Sequence, residues 1–285
     1  MTAVILALLS ALSFGSMTVA LRLALRRVPD AELGAAATLV AACGIALAVA
    51  TAEAPARGVG WSGLWPFALA GILAPGGSQL LFTLAVRDAG ASRTSVVVGA
   101  APLVSVAIAL TALSEPLRPA LIVGAVLIVV GGLELTRESD RPDHVRLAGL
   151  AFAFAAAVLF ASRDNLVRWL AGSTAARPGA AAFATLLLGA LVAAAFRARS
   201  PVRTSVREAA AFVPAGVFFG CSYVLIFEAY YRGRVTVVSP LVATESLWGV
   251  LLSVVLLRHS ELVGRRLVLG ACLIVAGGVL ISAFR

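Results

Sequence analysis

The chain has 285 residues, is 61% hydrophobic with a mean hydropathy of +1.01, and carries a formal net charge of +9. Soluble domains are nearer about 45–50% apolar, so this composition excludes a single water-covered domain and points to lipid as the main solvent. All 23 basic residues are arginines; they fall at helix ends and in loops, where they anchor helices to headgroups, and no RNA- or DNA-binding motif accompanies them.

A spanning helix needs about 20 largely apolar residues, and this length holds ten of them with short loops. Helix 1 is expected over about residues 3–25, closed by Arg26, Arg27 and the Pro29-Asp30 turn, and helix 2 over about residues 33–50. A polar segment with Pro55, Gly58 and Gly60 follows. Helix 3, about residues 64–86, contains Pro75-Gly76-Gly77; helix 4, about residues 92–113, contains Pro102; helix 5 covers about residues 119–135. The run Arg137 to Arg146 reads as a solvated linker. Helices 6 to 10 are expected over about residues 147–170, 179–196, 209–231, 235–257 and 267–284. Proline removes a backbone hydrogen bond and kinks a helix, so Pro102 and Pro240 are assigned as hinges. The N-terminus begins apolar without a basic stretch, and reads as a first spanning helix rather than a cleaved signal peptide.

The chain is written twice. Residues 121–132, LIVGAVLIVVGG, return as LVLGACLIVAGG at 267–278. At similar spacing Phe14, Ser16 and Arg22 meet Phe160, Ser162 and Arg168, and Gly76, Ser78, Leu81 and Ala85 meet Gly220, Ser222, Leu225 and Ala229. Five helices per copy is odd, so the second copy must cross the membrane in the opposite sense. The expected fold class is therefore an all-α membrane protein of ten transmembrane helices, arranged as two inverted five-helix repeats. The repeats cover residues 1–136 and 147–285, joined by the charged linker 137–146. With cytoplasmic termini, seven arginines fall inside and fifteen outside, leaving Arg163 within helix 6; the positive-inside rule then favours termini outside.

The ten helices, the five-helix duplication and the Ser-Glu corners at Ser114-Glu115 and Ser260-Glu261, each followed by a glycine-bearing last helix, resemble the EamA family of the drug/metabolite transporter superfamily. The resemblance covers nearly the whole chain. It implies a secondary transporter in the cell (inner) membrane, often an exporter of amino acids or related small polar metabolites, and it implies cytoplasmic termini. The rival readings are a broad drug or nucleotide-sugar carrier and a non-transporting, lipid-handling membrane protein. The implied partners are a small-molecule substrate, protons and the lipid bilayer, with a monomer as the default state.

Glu245 is the sharpest candidate. A carboxylate within an apolar helix is costly in lipid, about 2.5–3.5 kcal/mol on insertion scales, and must be paired or carry a proton. It is assigned to substrate binding or coupling, with a structural ion pair as the alternative. Arg163-Asp164-Asn165 in helix 6 offers Arg163 for a substrate carboxylate or for pairing with Glu245 or Glu228, and Asp164 and Arg168, four apart, for a pair on one helix face. The glycine-serine pairs of helices 3 and 8, Gly76-Gly77-Ser78-Gln79 and Gly220-Cys221-Ser222-Tyr223, suit local unwinding or close helix approach. From these come Ser78, Gln79, Ser222 and Tyr223 as cavity candidates, with Trp248 and Asn165 beside the charged groups. Cys43, Cys221 and Cys272 lie in apolar runs, and His144 and His259 stand alone, so neither a disulfide framework nor a metal site is expected. The chain has no GxGxxG after a strand, no GxxxxGK[ST], no HExxH and no GxSxG, so it is not expected to be an enzyme, and no cofactor is implied.

Overall fold

In a computed structural model of the chain, residues 2–58, 60–101, 104, 119–136, 146–171, 174–200, 204–233, 238, 241–257 and 264–283 are described. Pro102, Pro240, Glu115 and Glu261 lie outside these residues, as does most of the charged linker. The described elements are α-helices: α1 (Thr2–Arg27), α2 (Ala31–Arg57), α3 (Trp65–Gly71), α4 (Ser78–Ala89), α5 (Ala91–Val98), α6 (Pro119–Thr136), α7 (Leu147–Ala171), α8 (Pro178–Ala198), α9 (Val206–Ala210), α10 (Val213–Arg232), α11 (Glu245–Leu257) and α12 (Arg265–Ala283). Among the described residues, six spans are long and apolar enough to cross a membrane, and two shorter apolar helices accompany them. The chain is thus an all-helical, multi-pass membrane protein.

Local chemistry explains three helix ends. Asp30 caps α2 by accepting from the Leu33 N–H. Ser205 and Glu208 form a reciprocal capping box at α9; these bonds from Ser205 hold the exposed Glu208 carboxyl below its usual range. The segment around Pro55, expected to be a loop, continues α2 as helix to Arg57. Gly58, at φ 69°, then ends the helix in a conformation that favours glycine.

Helix 3 is not continuous. Between α3 and α4 the residues Ile72–Gly77 widen into a π-helical turn, with Ala74 out of helical geometry at φ −141°, ψ 113°. Pro75 supplies no N–H, and the following glycines let the chain pass close to α8. A Cβ on Gly189 of α8 would lie 2.7 Å from Pro75 Cγ and 3.1 Å from the Gly71 carbonyl oxygen. The matching stretch in α10 stays helical, and its glycines serve close approach instead: a Cβ on Gly220 would lie 2.8 Å from the Ala42 carbonyl oxygen of α2. The two glycine-serine stretches thus take the two forms expected of them, one each.

The helices pack in couples. α1 lies against α10 and α11, while α7 lies against α4 and α5; α2 meets α10, and α8 meets α3. The repeated stretch packs on its own copy in α6 and α12. A Cβ on Gly131 would lie 2.7 Å from the Gly270 carbonyl oxygen and 2.9 Å from Ile274, and a Cβ on Gly277 would lie 2.5 Å from the Gly124 carbonyl oxygen and 2.8 Å from Ile128. Small residues of this kind let helix backbones meet in lipid.

Two arginines counted on the outer side in the charge count are buried in helices. Arg93 of α5 is 1% exposed, and Arg22 of α1 donates from Nη1 to the Val86 and Arg87 carbonyls at 3.1 and 2.9 Å. A cation there satisfies the last carbonyls of α4. These two arginines therefore serve the interior, and counting them as loop charge overstates that side.

Candidate functional site

A narrow cavity lies between α1, α7, α10 and α11 and the end of α5. Phe14, Phe160 and Tyr223 line it, each within one residue of the middle of its helix. The cavity therefore sits at mid-height of the bundle.

Arg163 is the cation of the cavity wall and is 7% exposed. Its Nε and Nη2 donate to Asp164 Oδ1 at 2.9 and 2.7 Å. The guanidinium carbon lies 4.7 Å from the centre of the Tyr223 ring and 5.2 Å from that of Phe160, within the range of cation–π attraction. Asp164, whose side chain is 23% exposed, also accepts from the Tyr230 hydroxyl. Arg163 thus pairs with its neighbour in sequence, while the side chain of Arg168, the expected helix-face partner of Asp164, lies outside the described residues. Glu228 pairs with Arg232, one turn on in α10.

Glu245 faces the same cavity from α11. It follows a single turn residue, Thr244, within the helical stretch Leu241–Leu257. Among the described residues no side chain forms a hydrogen bond or ion pair with it, and the charges that reach it are those of Asp164 and Arg163. Ser222 also lines the cavity. Its carbonyl accepts from Ser10 Oγ at 2.9 Å, and the two hydroxyls are 3.0 Å apart, tying α1 to α10.

The other sequence candidates lie elsewhere. Gln79 and Ser78 are buried at the start of α4, just after the π-helical turn, and among the described residues neither the polar atoms of the Gln79 carboxamide nor Ser78 Oγ has a hydrogen-bond partner. Trp248 sits at the α1–α11 contact, where a Cβ on Gly15 would lie 2.8 Å from its own. Asn165 donates to the Ala161 carbonyl of its own helix at 2.8 Å.

Tertiary structure adds Phe14, Phe160 and Tyr230 to the site, and places there Asp164, which the sequence had offered only as a helix-face partner of Arg168. Two of these left a signal in the sequence: Phe14 and Phe160 are matched between the copies. Tyr230 left a weaker one, following Tyr223 and Phe227 at helical spacing on one face. A network of edge-on contacts closes one side of the cavity, with Phe14 at 5.2 Å from Phe82, 5.8 Å from Phe160 and 6.1 Å from Phe219. Among the described residues no cluster of His, Cys, Asp and Glu has the shape of a metal site. The lining combines aromatic faces with the Arg163–Asp164 pair and the Glu245 carboxylate.

The family model of the EamA-like transporter family matches the chain twice, over residues 1–136 and 147–283. A protein of known crystal structure superposes with a TM-score of 0.69 at 22% identity, covering 98% of this chain and 95% of that one; at that identity the likeness extends to the fold alone. No curated protein matches the sequence at a significant level.

Proposed function

Because the chain belongs to the EamA-like transporter family of the drug/metabolite transporter superfamily, we propose that it is a secondary transporter that exports small amine-bearing metabolites, amino acids and their relatives among them, by alternating access. The observation that carries this reading is Glu245, a carboxylate without a described partner, facing a cavity at mid-height of a multi-pass bundle. Such a group is costly in lipid unless it serves a substrate, a proton or both. Glu245 binds the substrate ammonium or the coupling proton, and Arg163, Asp164, Tyr223, Tyr230 and Ser222 shape the cavity around it. Ser78 and Gln79 join the pathway when the broken helix moves, and Pro102 and Pro240 act as hinges.

The proposal includes the architecture that such transport needs: ten spans in two inverted repeats, residues 1–136 and 147–285, with the charged segment between them as linker. The reciprocal glycine contact supports it. Gly131 and Gly277, which correspond in the two copies, each meet the other copy's counterpart of the same pair, Gly270 with Ile274 and Gly124 with Ile128. A contact in which each copy does to the other what the other does to it is the mark of a two-fold relation. The paired packing of α1 with α10 and α11, and of α7 with α4 and α5, follows the same exchange. A chain with its own pair of repeats forms the pathway alone, so it works as a monomer in the cell's inner membrane.

The test is flux from proteoliposomes loaded with labelled amines and amino acids, with and without a pH gradient, beside Glu245→Gln. Flux that responds to the gradient and is lost in the variant is the expected result. Wild-type flux carried undiminished by the variant would remove Glu245 from the mechanism, and absence of flux from the whole panel would remove the substrate class.

A further inference from the structure

A second opening lies away from the central cavity, between the start of α2, the end of α8 and the broken helix of α3 and α4. It is a cleft of about 240 Å³, and its lining includes Glu32 and Ala35 of α2, Gly76 and Gly77 of the π-helical turn, Leu80 of α4 and Phe196 of α8. Gly77 leaves room at its inner end: a Cβ there would meet nothing closer than Leu159 Cδ1 at 3.7 Å. Among the described lining residues Glu32 is the one polar side chain; the rest of the wall is apolar.

The depth of the cleft follows from helix geometry. α1 ends, α2 begins and α4 ends at one face of the bundle, where Arg22 binds the Val86 and Arg87 carbonyls. Gly77 precedes the 12 residues of α4, which at 1.5 Å per residue puts it about 18 Å from that face. The hydrocarbon core is about 30 Å thick, so the cleft runs from one membrane face to about the midplane. That is the depth of one leaflet, and the occupant such an apolar slot suits is a lipid acyl chain.

The mouth carries both signs of charge. Glu32 is exposed there, and the guanidinium carbon of the exposed Arg199 lies 5.7 Å from the centre of the Phe196 ring. Arg197 and Asp30 are engaged with each other at 3.5 Å, and Arg197 also donates to Thr204 Oγ1 at 3.3 Å. Among the described residues neither Glu32 nor Arg199 has an ion pair.

We propose that the cleft is a binding site for a membrane phospholipid with a primary ammonium headgroup, phosphatidylethanolamine in class. One acyl chain fills the cleft, the phosphate meets Arg199, and the ammonium donates to Glu32. An anionic glycerol headgroup offers Glu32 no cation and meets its negative charge. A choline headgroup carries the cation but no N–H to donate. The bound chain lies against Gly76 and Gly77, so an occupied cleft braces the break in helix 3.

The test is native mass spectrometry of the full chain in detergent, mixed with equal amounts of phosphatidylethanolamine, phosphatidylglycerol and phosphatidylcholine bearing the same acyl chains. Retention of one phosphatidylethanolamine, about tenfold over each of the others, is expected, the factor of one charge contact. Glu32→Gln should lower it to the level of phosphatidylcholine, and Leu80→Trp, which fills the cleft, should lower retention of all three. Thermal melting in lipid-free detergent checks that each variant folds. Should Leu80→Trp fail to fold, amide exchange in the wild type decides: phosphatidylethanolamine must slow exchange at residues 72–77 relative to phosphatidylcholine.

Equal retention of the three lipids, or an unchanged preference in Glu32→Gln, overturns the headgroup assignment. Undiminished retention by a folded Leu80→Trp protein, or unchanged exchange at residues 72–77, overturns the cleft as the site. No readout here depends on flux, so each outcome stands apart from the transport reading.

Discussion

Gln79 is 0% exposed, and neither its Nε2 nor its Oε1 meets a hydrogen-bond partner among the described residues; Ser78 Oγ beside it is in the same condition. A buried polar group left unsatisfied costs about 1–3 kcal/mol, whereas an apolar group of the same shape at that position is neutral or stabilising. Leu matches the Gln side chain closely in size and carries no polar atoms. Gln79→Leu is therefore expected to stabilise the protein by about 1–3 kcal/mol. At roughly 2–4 °C per kcal/mol for a chain near this size, the Tm should rise by roughly 2–12 °C. Tryptophan fluorescence during a thermal ramp in detergent reads this directly, since four tryptophans are present. The same preparation, reconstituted, is expected to lose flux, because a residue retained against its own stability cost is retained for activity. A fall in Tm would refute the reasoning, for it would mean that the carboxamide holds the start of α4 in place through a bond the argument does not include. A rise in Tm with unchanged flux would leave the energetics intact and take Gln79 out of the pathway.

Other perturbations follow from close contacts and caps. Gly189→Ala would bring a Cβ to 2.7 Å from Pro75 Cγ and 3.1 Å from the Gly71 carbonyl oxygen; overpacking of this kind costs about 1–3 kcal/mol, read as a lowered Tm and as faster proteolysis near residues 72–77. Ser10→Ala removes the buried bond from α1 to α10 and is expected to cost about 0.5–1.5 kcal/mol in thermal stability. Arg22→Met keeps the apolar stem but releases the Val86 and Arg87 carbonyls; amide exchange at the C-terminal turn of α4 should quicken, with the rest of the bundle unchanged. The Glu208 carboxyl is held below its usual range by bonds from Ser205. Its folded value is depressed, so its contribution is present at neutral pH, above the unfolded value, and is lost as the pH falls through the folded value. Amide exchange across α9 should therefore rise on acidification, and Glu208→Gln should flatten that dependence.

The sequence by itself was enough for the class, the membrane and most helix positions. Runs of about 20 apolar residues have few alternatives in lipid, because every backbone polar group must be satisfied within the helix. Pro75-Gly76-Gly77 marked the break in helix 3 for the same local reason: a missing N–H and no side chain to fill the gap. The copying of residues 121–132 at 267–278 was visible as letters, and the expensive carboxylate of Glu245 stood out as a residue type in the wrong solvent.

Which residues meet was another matter. In water an apolar stripe shows which face of a helix is buried. In lipid an apolar side chain is equally at home on either face, so the pattern does not distinguish Phe14, in the cavity wall, from Leu9, which is exposed to the membrane. Arg163 was offered to Glu245, Glu228 or a substrate, and in the bundle it bonds Asp164 and lies against the Tyr223 and Phe160 rings. Those outcomes depend on how α1, α7, α10 and α11 come together, at sequence separations too long for any periodicity to reach. Only the assembled bundle decides that Glu245, Arg163 and Asp164 share one cavity with Phe14, Phe160 and Tyr223.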